Sequence, residues 1–180
     1  MRPEVRIVNV VATGKIGEDI DLGKIAREVE NTRYNPRVFP GLALSVDDPQ
    51  AVILIFRSGK FVCTGTKCVE DAELAVKHAV DAIRKIGIDV KLDSIKVQNM
   101  VAYADLGSEL NLNAMAIAFL ENTEYEPEQF PGVFYRLEDP KAVILAFSSG
   151  RIVIAGCKTR GDAERAAEKF CDELSAFGFL

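Results

Sequence analysis

The chain has 180 residues, 48% hydrophobic and 27% charged, with 13 Gly and 7 Pro, an ordinary globular composition for one domain or two small ones. No apolar run reaches the roughly 18 residues of a membrane-spanning helix, and the net charge of −5 argues against a protein that grips polyanions through bulk charge. The four cysteines form no CxxC pair and His78 is the single histidine, which argues against a zinc cluster and for free thiols in a reducing cytosol.

In chain order, Met1 leads almost directly into VRIVNVVA, which reads as a start without signal peptide or disordered tail. Glu4–Ala12 predicts a strand. Ile20 or Asp21 then precedes an apolar pattern at Leu22, Ile25, Ala26 and Val29, a short helix. Pro40-Gly41 predicts a turn, with a strand after it, and Asp47-Asp48-Pro49 a second turn. AVILIF from Ala51 is a strand of β-branched and apolar residues. RSGK at Arg57 is a tight turn, and KFVCTG the paired strand. Val69–Ile86 carries apolar residues at Leu74, Ala75, Ala79, Ala82, Ile83 and Ile86, a long helix, with Gly87 where a helix-ending glycine belongs.

The same order then recurs. Phe39 and Phe130, Pro49 and Pro140, Gly59 and Gly150, and Lys67 and Lys158 all stand 91 residues apart, and Asn9 and Asn99 stand 90 apart. A one-residue insertion is therefore expected near the segment matching Ala26–Asn31. Residues 1–90 and 91–180 read as two repeats forming one continuous unit, the second closing with a helix from about Gly161 to Phe177. Each half is strand, helix, about four strands, helix: an α+β class with largely antiparallel pairing.

One feature breaks the usual pattern. A sheet covered by helices on one face should alternate apolar and polar residues. Here Val52, Leu54 and Phe56 point one way and Ala51, Ile53 and Ile55 the other, with Val143, Leu145 and Phe147 against Ala142, Ile144 and Ala146 in the second copy. The turns are too short for parallel crossovers, and one long and one short helix cover only one face. An apolar face is left for binding. Its sparse polar residues are Asn9, Asn99 and Thr64, with cations near its edges at Arg57, Lys60, Lys67, Arg136, Arg151 and Lys158. Such a surface suits the DNA minor groove. Its floor offers mainly acceptors at A·T pairs, the cations meet phosphates, and apolar bulk leaves the guanine amino group without a partner.

The motifs VNVVA with QNMVA, YNPRVFPG with YEPEQFPG, and LIFRSGKFVCTGTK with LAFSSGRIVIAGCK span the chain, and with them it resembles the TATA-box-binding protein family in its archaeal form. The resemblance implies a saddle, a curved ten-stranded antiparallel sheet with helices on the convex face and DNA on the concave one. It makes Phe39 with Phe56, and Phe130 with Phe147, wedges between base steps, with one kink at each end of the box. The bend itself comes with the resemblance, since this family is a standard example of kinking by inserted side chains, at about a few kcal/mol per unstacked step. Asn9 and Asn99 would donate to bases near the centre, and Val11, Leu54, Val62, Val101, Leu145 and Val153 would line the groove floor. Thr64 matches a hydrogen-bonding position whose counterpart here is Ala155, and Ser45 stands where Arg136 stands in the other copy.

Charge is unevenly placed. Residues 1–90 hold 13 basic and 13 acidic residues, and residues 91–180 hold 9 and 14. Glu121, Glu124, Glu126 and Glu128 precede Phe130, where the first copy carries Arg33 and Arg37. An acidic loop on one copy suits a basic protein partner. By resemblance this is transcription factor B, met through Glu126 and Glu128, with RNA polymerase recruited indirectly. No cofactor is expected, nor a membrane, and the resemblance places the protein in the cytoplasm on the nucleoid. An enzyme is the competing class, but the sequence lacks a Walker loop, a GxGxxG after a strand and a Cys–His or His–carboxylate pair. Self-association of the free protein, a homodimer through the apolar face, is the third use of that surface.

Overall fold

The computed structural model describes residues 2–180; Met1, and with it the reading of the chain's start, lies outside the described residues. The elements are β1 (Arg6–Lys15), α1 (Leu22–Glu28), β2 (Thr32–Arg33), β3 (Leu42–Asp47), β4 (Gln50–Ile55), β5 (Lys60–Thr66), α2 (Val69–Lys85), β6 (Ile95–Asp105), α3 (Leu112–Ala118), β7 (Thr123–Glu124), β8 (Gly132–Glu138), β9 (Lys141–Phe147), β10 (Arg151–Cys157) and α4 (Arg160–Ala176). The ten strands follow the order β2-β3-β4-β5-β1-β6-β10-β9-β8-β7. Two compact units divide the chain: Asn9–Gln98, the first unit, and the residues up to Val8 together with Asn99–Leu180, the second.

The helix ends follow from local chemistry. The Asp21 carboxylate accepts from the Lys24 amide at 3.0 Å, Asn111 accepts from Ala114 at 3.1 Å and Thr159 accepts from Asp162 at 3.0 Å, each satisfying an amide that a helix start leaves open. The long helix α2 begins at Cys68 without a side-chain cap and instead has Glu70 and Asp71 in its first turn, where negative charge is favoured. It closes with Gly87 at φ +90°, whose amide donates to the Arg84 carbonyl. Leu22 and Leu112 start the short helices 90 residues apart, while Thr32 and Thr123 start the next strands 91 apart. The extra residue therefore sits at the helix exit, inside the expected segment.

Each unit has a one-sided core. In the first, Leu42 and Leu44 of β3, Ala51, Ile53 and Ile55 of β4, and Phe61 and Cys63 of β5 are buried against Ala72, Ala75, Val76, Ala79 and Ile83 of α2 and Ile25 of α1. In the second, Val133, Tyr135, Ile144, Ile152 and Ile154 are buried along with Ala163, Ala166, Ala167, Phe170 and Leu174 of α4. Alanine on the helix side lets each helix approach its sheet closely. Each fully buried Ile, Leu or Phe contributes about 1.5–3 kcal/mol, so the helix-facing side holds the hydrophobic stabilisation.

Two expectations are corrected. The first strand starts at Arg6 rather than Glu4 and continues to Lys15, because its partner β5 extends far enough to pair Lys60 with Lys15. The turn before β3 is not at Pro40-Gly41. The Val38 and Phe39 amides both donate to the Asn35 carbonyl at 3.0 Å, and the Gln129 and Phe130 amides donate to Glu126. The chain thus reverses over residues 36–38, and Pro40 is only a bend leading to a buried Gly41. The backbone hydrogen bonds, not the Pro-Gly pair, close the turn.

Candidate nucleic-acid interface

The side chains that point away from the helices form a second face in each unit. Pairing partners in an antiparallel sheet share a face, so register builds it row by row. In the first unit Ala43, Leu54, Val62 and Thr13 lie across β3, β4, β5 and β1, and Ser45, Val52 and Thr64 form the next row. In the second unit the same rows read Phe134, Leu145, Val153 and Tyr103, then Arg136, Val143 and Ala155. Val11 and Asn9 on β1, and Val101 and Asn99 on β6, continue the same parity. Leu54, Val62, Leu145, Val153, Val11 and Val101 are half-buried, and Val52 keeps 37% of its surface exposed. Neither unit's own helices cover this face. Thr13, Tyr103, Ala43 and Phe134 belong to it although the sequence reading missed them. Period-2 alternation in their strands was the available signal.

The phenylalanine pairs stand on this face. Phe39 and Phe56 meet edge to face with centroids 5.8 Å apart, and Phe130 and Phe147 are 5.9 Å apart at 56°. Phe39 is 44% and Phe130 37% exposed, high values for rings of this size. The glycine of each Phe-Pro-Gly has a spatial reason. A Cβ on Gly41 would lie 2.7 Å from Cε2 of Phe39 and 3.0 Å from Cε1 of Phe56, and one on Gly132 would lie 3.0 Å from Cε2 of Phe130. Glycine leaves each ring room to fold back over its own backbone, and a side chain there would crowd the ring more severely in the first unit than in the second. In the second unit Phe134 adds a third ring 5.6 Å from Phe130, where the first unit has Ala43.

The asparagines have a geometry that sequence reasoning did not foresee. The β1–β5 register slips between Val10 and Ala12, and the β6–β10 register slips between Ile154 and Cys157. Each slip accommodates a bulge glycine, Gly65 at φ +96° or Gly156 at φ +94°, a left-handed conformation that glycine adopts without strain. Asn9 Oδ1 accepts from the Gly65 amide and Asn99 Oδ1 from the Gly156 amide, both at 2.7 Å. With its oxygen accepting from the backbone, each asparagine has its Nδ2 amino group as its donor. In the first unit that group also donates to Thr64 Oγ1 at 3.2 Å. Ala155 removes this partner in the second unit.

The cations fall into two groups. Arg57 pairs with Asp19 at 3.0 Å, Arg136 with Glu124 at 3.0 Å, and Arg151 lies 4.0 Å from Asp105. These are exposed pairs worth about 0–1 kcal/mol. Lys60, Lys67 and Lys158 make no ion pair among the described residues. Ser45 pairs with Val52 as Arg136 pairs with Val143, so the first unit lacks a cation where the second has one. Glu126 and Glu128 are exposed in the loop between β7 and β8. Among the described residues no group of His, Cys, Asp or Glu could hold a metal ion, and no helix is long and apolar enough to cross a membrane. All four cysteines are free, and burial pushes the Cys63 thiol up to about 11.

The family described as "Transcription factor TFIID (or TATA-binding protein, TBP)" matches the chain twice, over residues 4–86 and 94–177. The chain belongs to this family. It is 53% identical over 180 residues to the TATA-box-binding protein of Archaeoglobus fulgidus, covering 98% of both chains. It is 52% identical over 175 residues to that of Methanocaldococcus jannaschii, covering 97% of this chain and 95% of the relative. The solved structure of Methanococcus jannaschii TBP matches with a TM-score of 0.88 at 51% identity, covering 97% of this chain and 99% of that one. The expected fold is the one observed: ten antiparallel strands, four helices and two family repeats. The family is one of transcription factors and not of enzymes.

Proposed function

We propose that the chain is a general transcription factor that binds TATA-box DNA in the minor groove through the uncovered face of each unit. The observation that carries this reading is the uncovered face, repeated in both units, with a phenylalanine pair of which one ring is exposed and an asparagine whose amide oxygen is committed to a bulge glycine. Leu54, Val62, Val11 and their counterparts Leu145, Val153 and Val101 press on the groove floor, where an uncharged apolar surface disfavours the guanine amino group. Asn9, Asn99 and Thr64 donate to base acceptors. Phe39 with Phe56 and Phe130 with Phe147 insert between base steps and kink the duplex, as this family is a standard example of doing. Arg57, Lys60, Lys67, Arg136, Arg151 and Lys158 take phosphates. Glu126 and Glu128 then receive transcription factor B, which recruits RNA polymerase to the bent promoter on the nucleoid.

Fluorescence anisotropy with the purified chain tests the reading. Binding to an A·T-rich duplex carrying a TATA-like box should exceed binding to a G·C-rich duplex of equal length and weaken as salt rises. Equal affinity for the two duplexes overturns it. A protein that self-associates and binds neither would instead use the apolar face for a homodimer.

A further inference from the structure

In the first unit a groove of about 590 Å³ runs between the exit of α1, the end of β3 and the C-terminal half of α2. Its volume lies within the roughly 300–1,000 Å³ of sites that bury a ligand. Val29, Leu44, Val46 and Ile86 give it apolar walls, and Glu28, Glu30, Asp47, Asp48 and Asp81 stand along it. Against these the described lining residues set one ammonium group, Lys85, and the imidazole of His78. The five acidic residues are exposed, and none enters an ion pair among the described residues. Leu44 has the helix-facing parity of its pairing partner Ile53, so the groove lies on the helix-packed side of the sheet and not on the open face.

The second unit packs rings at the same place. Val29 and Phe119 are the C-caps of α1 and α3, and Ile86 and Phe177 those of α2 and α4. Leu44 pairs with Thr32 as Tyr135 pairs with Thr123. Phe119 meets Phe177 edge to face with centroids 4.8 Å apart and Tyr135 at 5.5 Å, and Tyr135 lies 5.0 Å from Phe170, where the first unit has Ala79. Lys169, at the position of His78, donates to the Asp139 carbonyl at 2.9 Å. Interiors are normally close-packed. With Val29, Leu44, Ala79 and Ile86 in place of four rings, the first unit leaves the space open.

We infer that this groove is a docking site for a segment of a partner protein in which apolar side chains alternate with lysines or arginines. Charge complementarity selects that occupant. Five carboxylates around apolar walls repel an acidic segment, and equally the phosphates of a nucleic acid, and they attract cations. Long Lys and Arg side chains lay their methylene stems along an apolar wall and carry their charge to the rim. No carboxylate of the groove gives up an ion pair to receive them. The site is separate from the proposed DNA-binding face and does not depend on that reading.

Fluorescence anisotropy at low salt, where surface charge is least screened, tests the groove with the purified chain and the fluorescein-labelled peptide RLKVRLKV. This peptide should bind more tightly than its acidic analogue ELDVELDV, and more tightly than RGKGRGKG, which keeps the charges without the apolar side chains. The variant Glu30→Gln/Asp47→Asn/Asp81→Asn removes three exposed ion pairs, each worth about two- to threefold in affinity, so Kd should rise about tenfold. The matched variant of the second unit, Glu121→Gln/Glu138→Gln/Asp172→Asn, changes the chain's charge equally and should leave Kd unaltered. Circular dichroism should show both variants folded, since all six side chains are exposed. A tenfold loss confined to the groove variant sustains the site. Equal losses in the two variants reveal attraction to bulk charge and overturn it, as does an unaltered Kd in the groove variant or equal binding of RGKGRGKG. Sedimentation that finds the wild type dimeric and the groove variant monomeric gives the groove to a second copy and overturns it too. Wild-type protein that fails to prefer an A·T-rich duplex defeats the DNA-binding reading alone and leaves the peptide result standing.

Discussion

Replacing Phe39 and Phe56 together by alanine separates a wedge from a core ring. Phe39 is 44% exposed and Phe56 half-buried, so each forfeits only part of the about 1.5–3 kcal/mol that full burial of such a ring provides, roughly 1 kcal/mol apiece. Their edge-to-face contact at 5.8 Å adds about 0.5–1.5 kcal/mol. The double variant should therefore lose about 3 kcal/mol, which a domain of ordinary stability survives. Phe61, 1% exposed, is the control: its single replacement by alanine should cost about 3–5 kcal/mol. On DNA the ranking reverses. If each wedge contributes the roughly 1–3 kcal/mol of an aromatic ring stacked on a base, the double variant should bind at least about thirty-fold more weakly. Energy transfer between dyes at the duplex ends should report a straighter duplex. Thermal melts followed by circular dichroism supply the stability half of the comparison. A double variant that melts below Phe61→Ala, or that bends DNA as wild type does, refutes the wedge assignment.

Other expectations follow from the same geometry. Gly41→Ala places a carbon well inside the 3.5–4.0 Å of a normal carbon contact with both Phe39 and Phe56. It should splay the rings and reduce bending while leaving the core intact, and an unchanged end-to-end distance in the bent complex would count against the ring-support role. Cys63 holds its proton more tightly in the folded chain than in the unfolded one, about 11 against 9.0, because it is buried. Stability from this group is thus complete below pH 9 and is lost as pH climbs from 9 through 11. Urea midpoints should drop over that window, less steeply in Cys63→Ala, and a flat profile in wild type contradicts this account. Glu126→Arg with Glu128→Arg should leave affinity for the box nearly unaltered and reduce recruitment of transcription factor B in a gel-shift assay. Loss of DNA binding in that variant would argue against a separate partner site.

Much of this protein was written in the order of its residues. The repeat, the helix from Val69 and the two faces of AVILIF were legible because a 91-residue echo, a 3.6-residue period and a 2-residue period are properties of the chain itself. Ala51, Ile53 and Ile55 went to the core and Val52, Leu54 and Phe56 to the open face as alternation requires. What depends on who stands opposite whom was decided only in three dimensions. The Asn9 and Asn99 oxygens are committed to the bulge amides of Gly65 and Gly156, because a register slip is a property of two strands and not of one. Arg57 and Arg136 are held by Asp19 and Glu124, partners 38 and 12 residues away that no local spacing links. Gly14 lies against Phe61 and Ser94, residues distant in sequence that only the folded sheet makes neighbours.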